Sequence, residues 1–117
     1  MAIKVKDSAV TIYINTLEDD VPTTEIYTLN IPTPLIEATL LSAKKAADYN
    51  GGVERSAYFP LGLPSYAQEI YKKGLRLVSL AKIGKSPKNE SVRDTALDII
   101  NYANFLIEAI DKGELDK

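Results

Sequence analysis

A chain of 117 residues with a formal charge of −2, no cysteine and no histidine fits one domain and lacks several chemistries. Disulfides, thiolate nucleophiles, zinc–thiolate sites, histidine bases and imidazole metal sites are all excluded within one copy. Acid–base or metal chemistry falls to carboxylates, lysine, tyrosine and water, and a metal would be an oxygen-ligand ion such as Mg²⁺.

Residues 2–31 read as β-structure. Ile3 and Val5 alternate with lysines, Lys6-Asp7-Ser8 has turn chemistry, and Val10, Ile12 and Ile14 alternate with Thr11, Tyr13 and Asn15. An acidic loop, Leu17 to Pro22, precedes a second run from Thr24 to Ile31. An antiparallel meander of two or three strands follows, too small to stand alone in water. It must therefore pack on helices or pair across a subunit interface. The acidic loop lacks the ligand spacing of a calcium loop and reads as solvated.

Thr33-Pro34 opens the first helix, with a capping hydroxyl and then proline, and Asn50-Gly51-Gly52 ends it after Asp48. Its apolar stripe is Ile36, Leu40, Ala43 and Ala47, beside a second stripe of Glu37, Leu41, Lys44 and Asp48. The aromatics of residues 51–63 argue for a loop docked on the body. Ser65 with Gln68 is a capping-box pattern for a second helix over 65–82. Tyr66, Ile70, Gly74, Leu77 and Ala81 form its inner face, and Gly74 suggests close packing against a neighbour. Lys72 and Arg76 lie outside, with Lys73 at the border. The third helix runs from near Ser91 to about Asp111, closed by Gly113. The fold expected is mainly α (α+β): an N-terminal meander, then three main helices over 33–112, in one domain, 1–117, packing as a helical oligomer.

Helical spacing sets Asp94, Asp98 and Asn101 on one side of the third helix and Val92, Ala96, Ile99, Ile100 and Ala103 on the other. Phe105 falls in the middle of the polar side, so that side is expected to be covered. A covered carboxylate needs a partner. If the polar stripes of the first and third helices meet, Glu37, Asp48, Asp94 and Asp98 could converge on Mg²⁺. Against that stands a capping role for Asp94 at the third position after Ser91, and simple exposure for Asp98. Six basic residues against one glutamate lie between Tyr66 and Lys88. Of these, Lys72, Lys73, Arg76 and Lys82 could receive phosphate, although Glu69 offers Lys72 and Lys73 ordinary surface pairing. Tyr49 could stack on a base or fill the core. The cluster lacks interleaved aromatics, so a nucleic-acid groove is the weaker reading and a small anion the better one.

Lys44-Lys45-Ala46-Ala47-Asp48-Tyr49-Asn50-Gly51, Lys73-Gly74-Leu75-Arg76-Leu77 and Glu90-Ser91-x-x-Asp94-Thr95-x-x-Asp98-x-x-Asn101-Tyr102 resemble, in order and spacing, the nucleotide-modification-associated domains common in bacteriophages. The third segment is also similar to the second acidic motif of the MazG-like, all-α nucleoside triphosphate pyrophosphohydrolases. The resemblance spans about residues 35–110 and leaves the strands unexplained. It implies an oligomeric helical fold with Mg²⁺ between helices, and it implicates Asp48, Lys73, Arg76, Asp94, Asp98 and Asn101. MazG-like enzymes carry closely spaced glutamates on the first helix, whereas here Glu37 and Asp48 stand far apart, and Asn50 replaces a usual glycine. The function expected is nucleotide binding by a small cytoplasmic oligomer of phage or mobile-element origin. The alternatives are a Mg²⁺-dependent pyrophosphohydrolase and a structural or DNA-associated protein. No signal sequence or membrane span is expected.

Overall fold

The computed structural model describes residues 9–49 and 54–115, with the side chains of 47–49 left aside. The first expected strand, around Ile3 and Val5, and the Asn50-Gly51-Gly52 helix stop lie outside the described residues. The chain divides into two compact units, Met1–Glu37 and Ala38–Lys117.

The first unit is built on a two-stranded antiparallel hairpin, β1 (Ala9–Glu18) and β2 (Val21–Asn30), in register from Ala9↔Asn30 to Glu18↔Val21. The acidic stretch read as a six-residue loop is a two-residue turn. Asp19 and Asp20 both take positive φ, 50° and 63°, the geometry that matches the strand twist. Aspartate reaches this region more easily than most residues, but glycine and asparagine are the usual markers, so the turn was hidden. Cross-strand polar pairs reinforce the register: Thr16 and Thr23 hydroxyls lie 2.6 Å apart, and Thr24 donates to Asn15 at 3.0 Å. The pleat sets Val10, Ile12, Ile14, Tyr27 and Leu29 on one face.

The helix α1 (Thr33–Tyr49) starts where expected, with the Pro32 carbonyl accepting from the Leu35 amide at 3.0 Å. Its predicted apolar stripe is not the buried one. Leu40 is 46% exposed and Ala43 is also exposed, whereas Glu37 and Ala38 are buried and Leu41 is half-buried.

In the second unit, α2 (Leu63–Lys82) and α3 (Glu90–Asp111) pack on each other. The capping box predicted at Ser65 does not form. The helix begins two residues earlier at the Gly62 cap, whose φ of 66° suits glycine, and the Ser65 hydroxyl accepts from the Leu61 amide at 2.9 Å. Gly74 is not a close-packing site, because a Cβ there would meet nothing within 4 Å. The α3 cap is Asn89, whose side chain accepts from the Ser91 amide at 2.9 Å. Asp94 therefore lies beyond the capping position assigned to it. Gly113 closes the helix with a φ of 70°.

After a 3-10 turn, Arg55–Tyr58, the described part of the expected loop docks on the body through Phe59, whereas Tyr58 is exposed. Phe59 stacks on Tyr66 with ring centroids 3.9 Å apart, and Tyr102 meets Phe59 edge-on at 6.2 Å. Ala109, Phe105, Leu106 and Leu115 complete this core. Burying a ring such as Phe59 contributes about 2 kcal/mol. No helix among the described residues is long and apolar enough to cross a membrane.

Candidate functional site

On α3 the covered side is the polar one. Leu97, Asn101 and Thr95 are buried, Asp94, Asp98, Tyr102 and Phe105 are half-buried, and Ala96, Ile107 and Ile110 on the opposite side are exposed. Phe105 is covered from within the chain: the Arg55 guanidinium lies 4.1 Å over its ring, and Arg55 also pairs with Glu108. The Arg55 hydrogen bond is the main reason the Glu108 carboxyl sits below its ordinary pKa, against an opposing push from desolvation.

The same covering brings three helices to Asp98. Its Oδ1 accepts from Lys45 Nζ of α1 at 3.1 Å, and its Oδ2 lies 3.3 Å from Lys73 Nζ of α2. The side chains of Asp98 and Lys73 are about three-quarters buried, at 26% and 27% exposure, whereas Lys45 is 55% exposed. Lys73 also stands 6.0 Å over the Tyr102 ring, a cation–π distance. One turn along α2, Arg76 Nε donates to Thr95 Oγ1 at 3.2 Å, and that hydroxyl donates to the Ser91 carbonyl at 2.7 Å. The threonine holds the guanidinium through one nitrogen and leaves the terminal amino groups of the fork out of that bond.

Lys73 and Arg76 of α2 thus meet Asp98 and Thr95 of α3, with Asn101 buried about one turn after Asp98 and Asp94 half-buried one turn before it. Lys72 is not with them; it pairs with Glu69 at 3.2 Å on the surface. Glu37 is buried at 3% exposure and belongs to the first unit. The Asp48 and Tyr49 side chains lie outside the described set. Among the described residues no three acidic side chains gather as a metal site. Lys45 and Thr95 were not singled out from sequence. Lys45 follows Glu37 and Leu41 at four-residue steps, so it sits on the stripe that turned inward. Thr95 is four residues after Ser91, the spacing of a hydroxyl-to-carbonyl bond within a helix.

Chemically the group is cationic. Lys45 and Lys73 meet the Asp98 carboxylate, whose two oxygens both face ammonium groups, and Arg76 lies one turn along α2 from Lys73. Comparisons with family models, characterised proteins and solved structures found no match.

Proposed function

We propose that this protein binds a phosphate-bearing, nucleotide-type ligand at Lys45, Lys73 and Arg76 around Asp98, and does so as a helical oligomer. The observation that carries the reading is the convergence of two lysines from different helices on one mostly covered carboxylate. Asp98 holds both ammonium groups in place, which lowers the entropy cost when a phosphate takes them over. Arg76, fixed through Nε by Thr95, offers planar donors suited to phosphate oxygens. Nucleotides are favoured among phosphate ligands by the resemblance of Glu90–Tyr102 to the phage nucleotide-modification-associated domains. The residues present fit an anion better than a resident Mg²⁺, because two ammonium groups occupy the positions a cation would take at Asp98.

Calorimetric titration with nucleoside triphosphates and cyclic nucleotides, with and without Mg²⁺, tests this, with pyrophosphate release followed in the same samples. Lys73→Ala and Arg76→Ala are each expected to weaken binding by about tenfold, about 1.4 kcal/mol. Asp98→Asn is expected to keep or strengthen Mg²⁺-free binding, because it removes the anion that competes for the lysines. Absence of nucleotide binding sinks the proposal. Mg²⁺-dependent pyrophosphate release abolished by Asp98→Asn replaces it with the pyrophosphohydrolase reading.

A further inference from the structure

Charge is sorted along this chain in a way that the net value of −2 conceals. From Ala9 to Asn30 there are four carboxylates, Glu18, Asp19, Asp20 and Glu25, and no lysine or arginine. From Ile70 to Asn89 there are six basic residues and no acid. Each tract contains an exposed turn. Glu18, Asp19 and Asp20 stand at the β1–β2 turn, flanked by Leu17 and Val21 at 73% and 56% exposure. Lys82, Lys85 and Lys88 stand at the α2–α3 connection around Ile83, which is 67% exposed.

Neither group of charges is neutralised locally. Lys72 is taken by Glu69, Lys73 by Asp98, and Arg76 by the Thr95 hydroxyl. Lys82, Lys85 and Lys88 enter no ion pair among the described residues, and neither do Glu18, Asp19 and Asp20. Both groups sit on ordered backbone. The hairpin register closes at Glu18↔Val21. At the α2–α3 connection the Gly84 amide donates to the Ala81 carbonyl at 3.1 Å and the Lys85 amide to the Leu80 carbonyl at 3.0 Å, with Gly84 at a φ of 79°. A fixed turn holds like charges together and lowers the ordering cost when a partner of opposite charge meets them.

We infer that these two turns bind each other between copies: the acidic β1–β2 turn of one chain docks on the basic α2–α3 connection of a second, with Leu17 and Val21 against Ile83. The charges are opposite and matched in number, and each turn presents exposed apolar side chains beside them. A nucleic acid or a small anion would engage the lysines alone and leave Ile83 and the acidic turn uncovered; a second copy covers both. Exposed ion pairs are individually weak and are screened by salt. The contact therefore supplements an apolar interface and orients the copies. It rests on the oligomer reading proposed above and not on phosphate binding.

The test is a charge swap on the full chain, read by sedimentation equilibrium at about 0.05 M and about 0.5 M salt. One variant carries Lys82→Glu, Lys85→Glu and Lys88→Glu. The other carries Glu18→Lys, Asp19→Asn and Asp20→Lys, asparagine being kept where φ is positive. Each variant alone is expected to associate about tenfold more weakly than wild type at low salt. An equimolar mixture should recover to within about threefold of wild type, because each variant then meets a turn of opposite charge. Loss of helix or sheet cannot produce that recovery. A mixture no better than either variant alone overturns the inference, as does wild-type association that is equal at both salt concentrations. If wild type remains an oligomer in those cases, the oligomer reading stands without this contact. A wild-type monomer at both salt concentrations removes the two together.

Discussion

Asp98 is a mostly covered carboxylate whose charge is met by two ammonium groups. Its partners arrive from two other helices, Lys73 mostly covered and Lys45 more than half exposed. Gly74, beside Lys73, is a different case. Nothing occupies the space its missing side chain leaves, so the glycine costs helix stability without a packing return in the second unit. Gly74→Ala is expected to stabilise the protein by about 1 kcal/mol, read as a raised denaturation midpoint. A lowered midpoint would mean that another backbone approaches this position in the assembled protein. At this scale much of the candidate site was legible. Asp98, Lys73 and Arg76 stand out because charged residues at helical spacing beside an aromatic call for a partner. Lys45 did not stand out, because nothing local distinguishes it from Lys44; only the way α1 turns selects it. Gly74 misled because a sequence cannot show that the space beside it is empty.

The elements themselves were readable, and so was the covered side of α3, but the orientation of α1 was not. Helical period, proline at the start of α1 and Gly113 after α3 gave three helices close to those observed. The apolar stripe Ile36–Leu40–Ala43 of α1 read as an inward face, yet Leu40 and Ala43 are exposed, whereas on α3 the polar side marked by Phe105 is covered as expected. Periodicity defines two faces of a helix without saying which one the rest of the chain covers. On α3 the aromatics decided the matter: Tyr102 and Phe105 joined the Phe59–Tyr66 stack and carried Asp98 inward with them. The β1–β2 turn is the other element whose chemistry was hidden. Two consecutive aspartates at positive φ place like charges side by side in a conformation that favours asparagine and glycine. Replacing them together, Asp19→Asn and Asp20→Gly, is expected to stabilise the hairpin by about 1 kcal/mol. Hydrogen exchange of the β1 and β2 amides should slow by roughly fivefold. Unchanged or faster exchange would show that the aspartates serve the turn better than its backbone geometry implies.

The apolar side chains that the described residues leave exposed bear on the oligomer proposed above. Among the described residues the buried apolar set is small: Ala38, Phe59, Tyr66, Leu97 and Ala109. Meanwhile α2 exposes Tyr71, Leu75 and Val78 at 61%, 48% and 49%, and α3 exposes Ile107 and Ile110 at 57% and 53%. Tyr71, Leu75 and Val78 fall at i, i+4 and i+7, the seam along which one helix packs on another. In the proposed oligomer such a seam would pair with its own copy across a two-fold axis, each α2 supplying both ridge and groove. Burial of each of these side chains is worth about 1–2 kcal/mol before the costs of association. We therefore expect sedimentation equilibrium to find an oligomer whose thermal midpoint rises with protein concentration. Leu75→Glu should shift it toward monomer and remove that concentration dependence, since it places a like charge opposite its own copy in a desolvated seam. Arg76, the next residue, points to Thr95 instead, so the candidate phosphate site stays within one copy. Dissociation by Leu75→Glu should accordingly leave nucleotide affinity within about twofold, far below the tenfold loss expected for Arg76→Ala. A wild-type chain that remains monomeric at every concentration would remove the α2 seam from the account, and the exposed stripe would then belong to a different partner.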